Sequence, residues 1–269
     1  MRRLSALLHR EDTTEMRAYD SFESALRDSD SYEDPRVIQV VKEKTRRYKE
    51  TLASGHRPAI QSRQIVQNLF VLSFVELARP LNVLEIGGAC GASYFETKAI
   101  LPGRIRHWSI VETPRMRAAG ESLNDDPRLS FHSDLTSAAK QLEFRDLAVA
   151  QGALQYAGNP LEVLRDMFAF EPSYVYITRT AVANVHAPIF TKQDTDLLAH
   201  GPGILPNAPA GKSSQPMTLE SYDALTSAVP TNYEIVFEFD ESEERLVSIA
   251  GRSVRIRDVG FLAEKARHR

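Results

Sequence analysis

The chain has a single cysteine, Cys90, among its 269 residues. That excludes an intramolecular disulfide and a cysteine-rich zinc site, and it suits a reducing compartment. No run of about 18 apolar residues occurs, so no membrane-spanning helix is expected. The opening Met1-Arg2-Arg3-Leu4-Ser5-Ala6-Leu7-Leu8 is basic and then briefly apolar, but His9-Arg10-Glu11-Asp12 cuts the run too early for a signal peptide. A cytoplasmic location is the expectation. Positive charge is not in excess. The 33 basic and 36 acidic residues leave a formal charge of -3, which offers no field for nucleic acid. The seven histidines are scattered, and no histidine pair or acidic cluster has ligand spacing, so no metal site is read.

What is present is a chain that is 42% apolar, enough for one large α/β domain with an extension. Residues 1–35 are polar and acidic, and read as loosely ordered or as a peripheral helical cap. Residues 36–53 have helical spacing, with Val37, Val40, Val41, Tyr48 and Leu52 on one face. A second helix is expected from Ser62 to Ala78, with Ile65, Leu69, Leu72 and Val75 apolar, ended by Pro80. Residues 1–78 thus form a helical extension that either caps an acceptor site or makes a homodimer interface.

From residue 79 onward strands and helices alternate, which predicts a parallel sheet covered on both faces. Strands are expected at Asn82–Ile86, His107–Val111, Leu129–His132, Leu147–Ala150 and Tyr174–Thr178. The helices between them are Ser93–Ile100, Arg115–Ser122 and Pro160–Phe170. Residues 183–217 hold five prolines and three glycines and little period, which reads as a long loop, the natural lid. A helix at Leu219–Ser227 and strands at Tyr233–Phe239 and Val254–Phe261 follow.

The first strand runs into Glu85-Ile86-Gly87-Gly88-Ala89-Cys90-Gly91, a glycine turn that opens a helix. Glycine lets the backbone approach a ligand closely, and the helix start presents free N–H groups. The dinucleotide spacing G-x-G-x-x-G fails in both registers, because Ala89 and Ala92, or else Cys90, stand where glycine is needed. Gly211-Lys212-Ser213 follows no strand and lacks the upstream glycine of a phosphate loop, since Pro206 stands there. What remains is acid-x-Gly-x-x-x-Gly on Glu85, Gly87 and Gly91. Glu112 ends the second strand 25 residues after Gly87. A carboxylate there can accept both hydroxyls of a ribose, or serve as a helix N-terminal acid before Thr113-Pro114. Asp134 and Leu135 follow the third strand, where Asp134 can serve as a helix N-cap. Gln151-Gly152-Ala153-Leu154-Gln155-Tyr156 leaves the fourth strand on the carboxyl edge of the sheet, where ligands bind in open α/β folds.

The Glu85–Gly91 segment resembles the first motif of class I S-adenosylmethionine-dependent methyltransferases, whose usual form is acid-x-Gly-x-Gly-x-Gly. Ala89 departs from it at the middle glycine. Residues 147–180 resemble a family of bacterial methyltransferases with Leu-Gln-Tyr after the fourth strand and Asp-Arg-Thr after the fifth. Here these are Leu154-Gln155-Tyr156 and Thr178-Arg179-Thr180. The resemblance implies a Rossmann-like, seven-stranded sheet with helices on both faces. It also implies S-adenosylmethionine as cofactor and S-adenosylhomocysteine as product. Glu85 would hold the methionine end, Gly87, Gly88 and Gly91 the turn, Glu112 the ribose, Asp134 with Leu135 the adenine, and Gln151 the methyl end.

Methyl transfer from a sulfonium needs chiefly alignment and exclusion of water. Tyr156, Arg179 and His186 are the candidates on the acceptor side. Arg179 could hold an acceptor carboxylate or phosphate, and His186 opens the long loop. The expected acceptor is a small polar molecule, methylated on oxygen. The alternatives are an NAD-dependent oxidoreductase on a similar fold and a non-catalytic partner subunit.

Overall fold

The computed structural model describes residues 15–55, 63–75, 79–206 and 210–266, with no side-chain description at 63–66, 69 and 74. Ile65 and Leu69, expected on the second helix, therefore lie outside the described side chains. A two-residue strand β1 (Glu15–Met16) comes first, followed by α1 (Phe22–Arg27), α2 (Pro35–Ala53) and α3 (Arg63–Phe74). Pro35 stands in the first turn of α2, and the Asp34 carboxylate accepts from Arg36 N at 2.7 Å, so both N-terminal signals of a helix are in place.

The alternating part then runs β2 (Leu81–Ile86), α4 (Ala92–Ile100), β3 (Ile105–Val111), α5 (Pro114–Leu123), β4 (Leu129–His132), α6 (Leu135–Ala139), β5 (Leu147–Gln151), α7 (Pro160–Ala169) and β6 (Tyr174–Ala183). These five strands pair in parallel in the order β4-β3-β2-β5-β6. The chain leaves β2 to one side for β3 and β4, then returns to the other side for β5 and β6. The switch point lies at β2, and in such sheets the crevice beyond the strand ends there is where ligands sit.

Both faces of the sheet are dry. Leu147, Val149, Tyr174 and Tyr176 share one core with Val71 and Leu72 of α3, Phe95 of α4 and Trp108 of β3. Ala148, Ala150, Val175 and Ile177 point the other way, to Leu164, Met167 and Phe168 of α7. Successive residues of each strand thus bury to opposite faces, which is why these strands read as nearly continuous apolar runs. The result is a Rossmann-like α/β fold.

Four expectations are corrected. After β6 come β7 (Ile189–Asp196) and β8 (Lys212–Leu219), an antiparallel pair with register Ile189↔Leu219 to Asp196↔Lys212. The stretch 183–217 is therefore largely a hairpin and not a long loop. Its buried residues include Thr191, Ser213, Gln215 and Thr218, so the apolar alternation that marks a strand is missing. Next, β6 continues to Ala183, past the predicted end at Thr178. Finally, α8 (Tyr222–Ser227) is followed by β9 (Tyr233–Asp240), β10 (Arg245–Ile249) and β11 (Arg252–Lys265). β11 runs antiparallel to β6 and carries β9 beside one half and β10, with β1, beside the other. Among the described residues the main sheet has nine strands, not seven. The N-terminal extension is also not purely helical, since β1 joins this sheet.

Candidate functional site

A large cleft opens over the carboxyl ends of β2, β3, β5 and β6. Its floor is the glycine turn. Glu85 is only 1% exposed at the end of β2. Its Oε2 accepts the Trp108 indole N–H at 2.8 Å and its Oε1 accepts Gln151 Nε2 at 3.3 Å. The chain's one tryptophan is thus buried with its polar atom satisfied by the carboxylate. Burial pushes the Glu85 carboxyl up to about 7, against the pull of the indole hydrogen bond. Gln151 also donates to Ser93 Oγ at 3.2 Å and accepts from Asn68 Nδ2 at 2.9 Å, while Tyr176 OH donates to Asn68 Oδ1 at 3.1 Å. Asn68 brings α3 into the floor of the site.

The turn is glycine-dependent at two positions for different reasons. Gly87 has φ 67°, and a Cβ there would meet Ala153 Cβ at 2.6 Å. Gly88 faces the Glu85 carboxylate itself. Ala89 takes φ 50°, the left-handed region that the missing middle glycine would occupy without strain. Glu112 bridges the turn to β3: its Oε1 accepts Ala89 N at 2.7 Å and its Oε2 accepts Thr113 N at 2.8 Å. Burial raises the Glu112 carboxyl above its usual range.

The remaining predicted residues divide. Gln155, Tyr156 and Arg179 line the cleft with Glu85, Gly87, Gly88, Glu112 and Gln151. Gly91, at φ 84°, is not a wall residue; it packs beneath the turn near Leu129, Ile110 and Phe131. Asp134 and Leu135 are not wall residues either, whereas Ser133 is. The Asp134 carboxylate accepts Ser137 N at 2.8 Å, the N-cap arrangement of α6, and that bond holds its carboxyl below the usual range. His186 lies on an exposed bend between β6 and β7 and does not line the cleft.

Arg179 owes its position to a β-bulge. Opposite Gly260, β6 supplies two residues where β11 supplies one, because Val259 pairs with Thr180 and Phe261 with Ile177. Arg179 adopts φ 51° and is exposed in a strand that is otherwise buried. Bulges re-aim side chains in this way beside functional sites. The guanidinium lies over Gly152 and donates to Gln151 O at 3.2 Å. Glu241 locks the bulge, accepting from Arg179 N, Thr178 OH and Gln67 Nε2.

The opposite wall is made by α2 and the β7–β8 hairpin. The apolar face of α2 packs within the chain, with Val37 and Val41 against Cys90, Met116, Ala119 and Leu197. Tyr48 OH donates to Glu96 Oε2 at 2.6 Å and Lys49 Nζ to Leu123 O at 2.8 Å, tying α2 to α4 and α5. Sequence reasoning missed three wall residues here: Tyr32, Lys44 and His200. Tyr32 meets Tyr156 edge-on at 5.0 Å and His200 at 5.6 Å between ring centroids. Tyr156 OH donates to Gln193 Oε1 at 2.7 Å, and His200 Nε2 shares a hydrogen bond with Ser213 Oγ at 2.9 Å. Burial lowers the His200 imidazole and raises the Tyr32 and Tyr156 phenols. Lys44 was legible in principle, because it stands seven residues after Val37, where the stripe calls for an apolar side chain.

No family model and no curated relative matches the chain. Among solved structures, it is similar to the N-terminal domain of EvdMO1 with SAH bound: 13% identity over 77% of this chain and 82% of that one, TM-score 0.46. It is also similar to an S-adenosylmethionine-dependent methyltransferase from Clostridium acetobutylicum ATCC 824: 9% identity, 81% and 96% coverage, TM-score 0.43. A third is CalS10, an amino pentose methyltransferase from Micromonospora echinaspora: 11% identity, 77% and 93% coverage, TM-score 0.45. These likenesses are distant, and the functional reading rests on the cleft itself. Among the described residues, no group of histidine, cysteine and acidic side chains could hold a metal, and no helix is long and apolar enough to cross a membrane.

Proposed function

We propose that the cleft binds S-adenosylmethionine and transfers its methyl group to a small polar acceptor, on oxygen. The observation that carries this is the pair of carboxylates at the ends of adjacent strands, Glu85 and Glu112, joined by a glycine turn whose backbone Glu112 holds at 2.7 Å. The residues suit such a ligand. Glu112 offers two oxygens to a ribose diol, the missing Cβ of Gly88 lets the Glu85 carboxylate pack against the turn, and two acids oppose the cationic sulfonium and ammonium. When bound, the cofactor supplies an electrophilic methyl group to an in-line displacement.

The chain's own residues do the rest. Gln151 and Tyr156 border the place where the acceptor meets the methyl. The Tyr156–Gln193 bond fixes that phenol, and α2 with the β7–β8 hairpin screens the chamber from water. His200, held neutral at pH 7 by burial, is the cleft histidine able to take a proton from an acceptor hydroxyl. In this reading α2 caps the acceptor side of the cleft. Titration calorimetry with S-adenosylmethionine and S-adenosylhomocysteine tests the reading. Binding that weakens about tenfold or more in Glu112→Ala supports it, and no binding by the folded protein overturns it.

A further inference from the structure

The acceptor side of the cleft contains three polar groups whose natural partners the described residues do not supply. Lys44 is 3% exposed on α2, and its ammonium has only the Leu198 carbonyl, at 2.8 Å. Arg179, thrust into the cleft by the bulge, has only the Gln151 carbonyl, at 3.2 Å. Among the described residues neither has a carboxylate within ion-pair distance, whereas Arg17, Lys192 and Arg245 of the same cleft each do. The third group is Gln155, 6% exposed, whose Oε1 is buried without a donor. Its Nε2 donates to Arg179 O at 3.2 Å. A carbonyl oxygen can only accept, so the amide nitrogen faces Arg179 and the unsatisfied atom is the oxygen.

A buried cation without an anion, and a buried oxygen without a donor, are each costly to a fold. Burial already pushes the Lys44 ammonium below its usual range, the direction that a bound anion would reverse. Between the two cations stands the aromatic wall of Tyr32, Tyr156 and His200. The Tyr32 ring feels the charge of Arg179, and the His200 ring that of Lys44. A flat ring laid on that wall would carry its substituents toward both cations and toward Gln155.

We infer that the acceptor is a small hydroxylated ring acid: a flat ring against Tyr32, Tyr156 and His200, an anionic group, carboxylate or phosphate, held by Lys44 at one end of that wall, and a hydroxyl at the other end that accepts from Arg179 and donates to Gln155 Oε1. This rests on the methyl-transfer reading of the cleft and narrows its acceptor from polar to anionic.

The test is calorimetry of the full chain, with and without saturating S-adenosylhomocysteine. The probes are the three isomeric hydroxybenzoates, their carboxamides and the corresponding hydroxyphenyl phosphates. The expected result is that at least one acid or phosphate binds ten or more times tighter than its matched amide. A preference for carboxylate or for phosphate identifies the anion. Lys44→Met should reduce that preference at least tenfold, Arg179→Gln should weaken acid and amide alike about tenfold, and both should leave the affinity for S-adenosylhomocysteine unchanged. Lys44→Met should also unfold no earlier on heating, because it removes an unpaired buried charge. If acids and amides bind alike, or none binds, the inference is overturned while the cofactor reading stands on its own titration. A Lys44→Met protein that melts earlier and keeps full preference for the acid would make Lys44 a structural strut and overturn it as well.

Discussion

Gly88 and Glu85 are in contact across a gap with no room for a methyl group. A Cβ on Gly88 would lie 2.6 Å from Glu85 Oε2 and 2.7 Å from its Cδ. Gly88 does not adopt a positive φ, so the obstacle to alanine is steric alone. The carboxylate cannot simply swing aside, because Trp108 and Gln151 hold its two oxygens. Gly88→Ala should therefore cost about 1–3 kcal/mol of stability and weaken S-adenosylhomocysteine binding tenfold or more. Denaturant midpoints and titration calorimetry read both, and an alanine protein that matches the wild type in each would refute the account.

Ala89 presents the converse case. At φ 50° an alanine carries a left-handed penalty of about 1–2 kcal/mol, while glycine costs about 0.4–1 kcal/mol through the freer unfolded chain. The balance favours Ala89→Gly by about 0.5 kcal/mol, which for a domain of this size raises the melting temperature by about 1–2 °C. The Ala89 N–H to Glu112 bond does not depend on the side chain, so cofactor affinity should hold. A lower melting temperature would show that the turn does not store this strain.

The sheet core was legible because its strands bury both faces and the glycine turn falls between two clear periodicities. Leu129–His132 came out with the predicted bounds, and β3 and β5 differ from theirs by one or two residues. The hairpin β7–β8 was illegible because its buried residues include Thr191, Ser213 and Gln215, polar side chains that break the apolar alternation. The position of Arg179 was hidden for another reason. A bulge is set by tertiary pairing with Gly260 and Glu241, residues more than sixty positions away. His186 stands out in the sequence because it follows a strand end along the chain, whereas the burial of His200 beside Tyr32 is set by tertiary packing.

Glu85 should make cofactor binding release a proton near neutrality. Its folded-state carboxyl sits at about 7, above the ordinary 4.5, so the fold favours the neutral form. The penalty on the charged form is absent below pH 4.5, grows between pH 4.5 and 7, and is complete above 7. A cationic ligand beside it favours the carboxylate and reverses that preference. At pH 6.5, calorimetry in buffers of differing ionisation enthalpy should show release of most of a proton per molecule of S-adenosylmethionine bound. Affinity should rise as pH increases from 5.5 to 6.5, and Glu85→Gln should abolish the release. A binding enthalpy independent of buffer in the wild-type protein would mean that Glu85 does not face the cationic end.

The Arg179 bulge should be separable from the cofactor site. Glu241 accepts three donors with two oxygens, from Arg179 N, Thr178 OH and Gln67 Nε2. A glutamine keeps one oxygen and turns an amide group toward a donor, so Glu241→Gln should cost about 1–3 kcal/mol through an unsatisfied group. Gly260→Ala is harsher, since its Cβ would fall 2.6 Å from the Ile177 carbonyl and 3.0 Å from Thr178 Cα, both backbone atoms. In Glu241→Gln the bulge loosens at Arg179 N, and the guanidinium loses its fixed place over Gly152. Binding of ring acids should then fall while S-adenosylhomocysteine affinity stays near wild type, because Glu85 and Glu112 lie on β2 and at the end of β3. Equal loss of both ligands would show that the bulge supports the whole cleft, and loss of neither would show that Arg179 holds its position without Glu241.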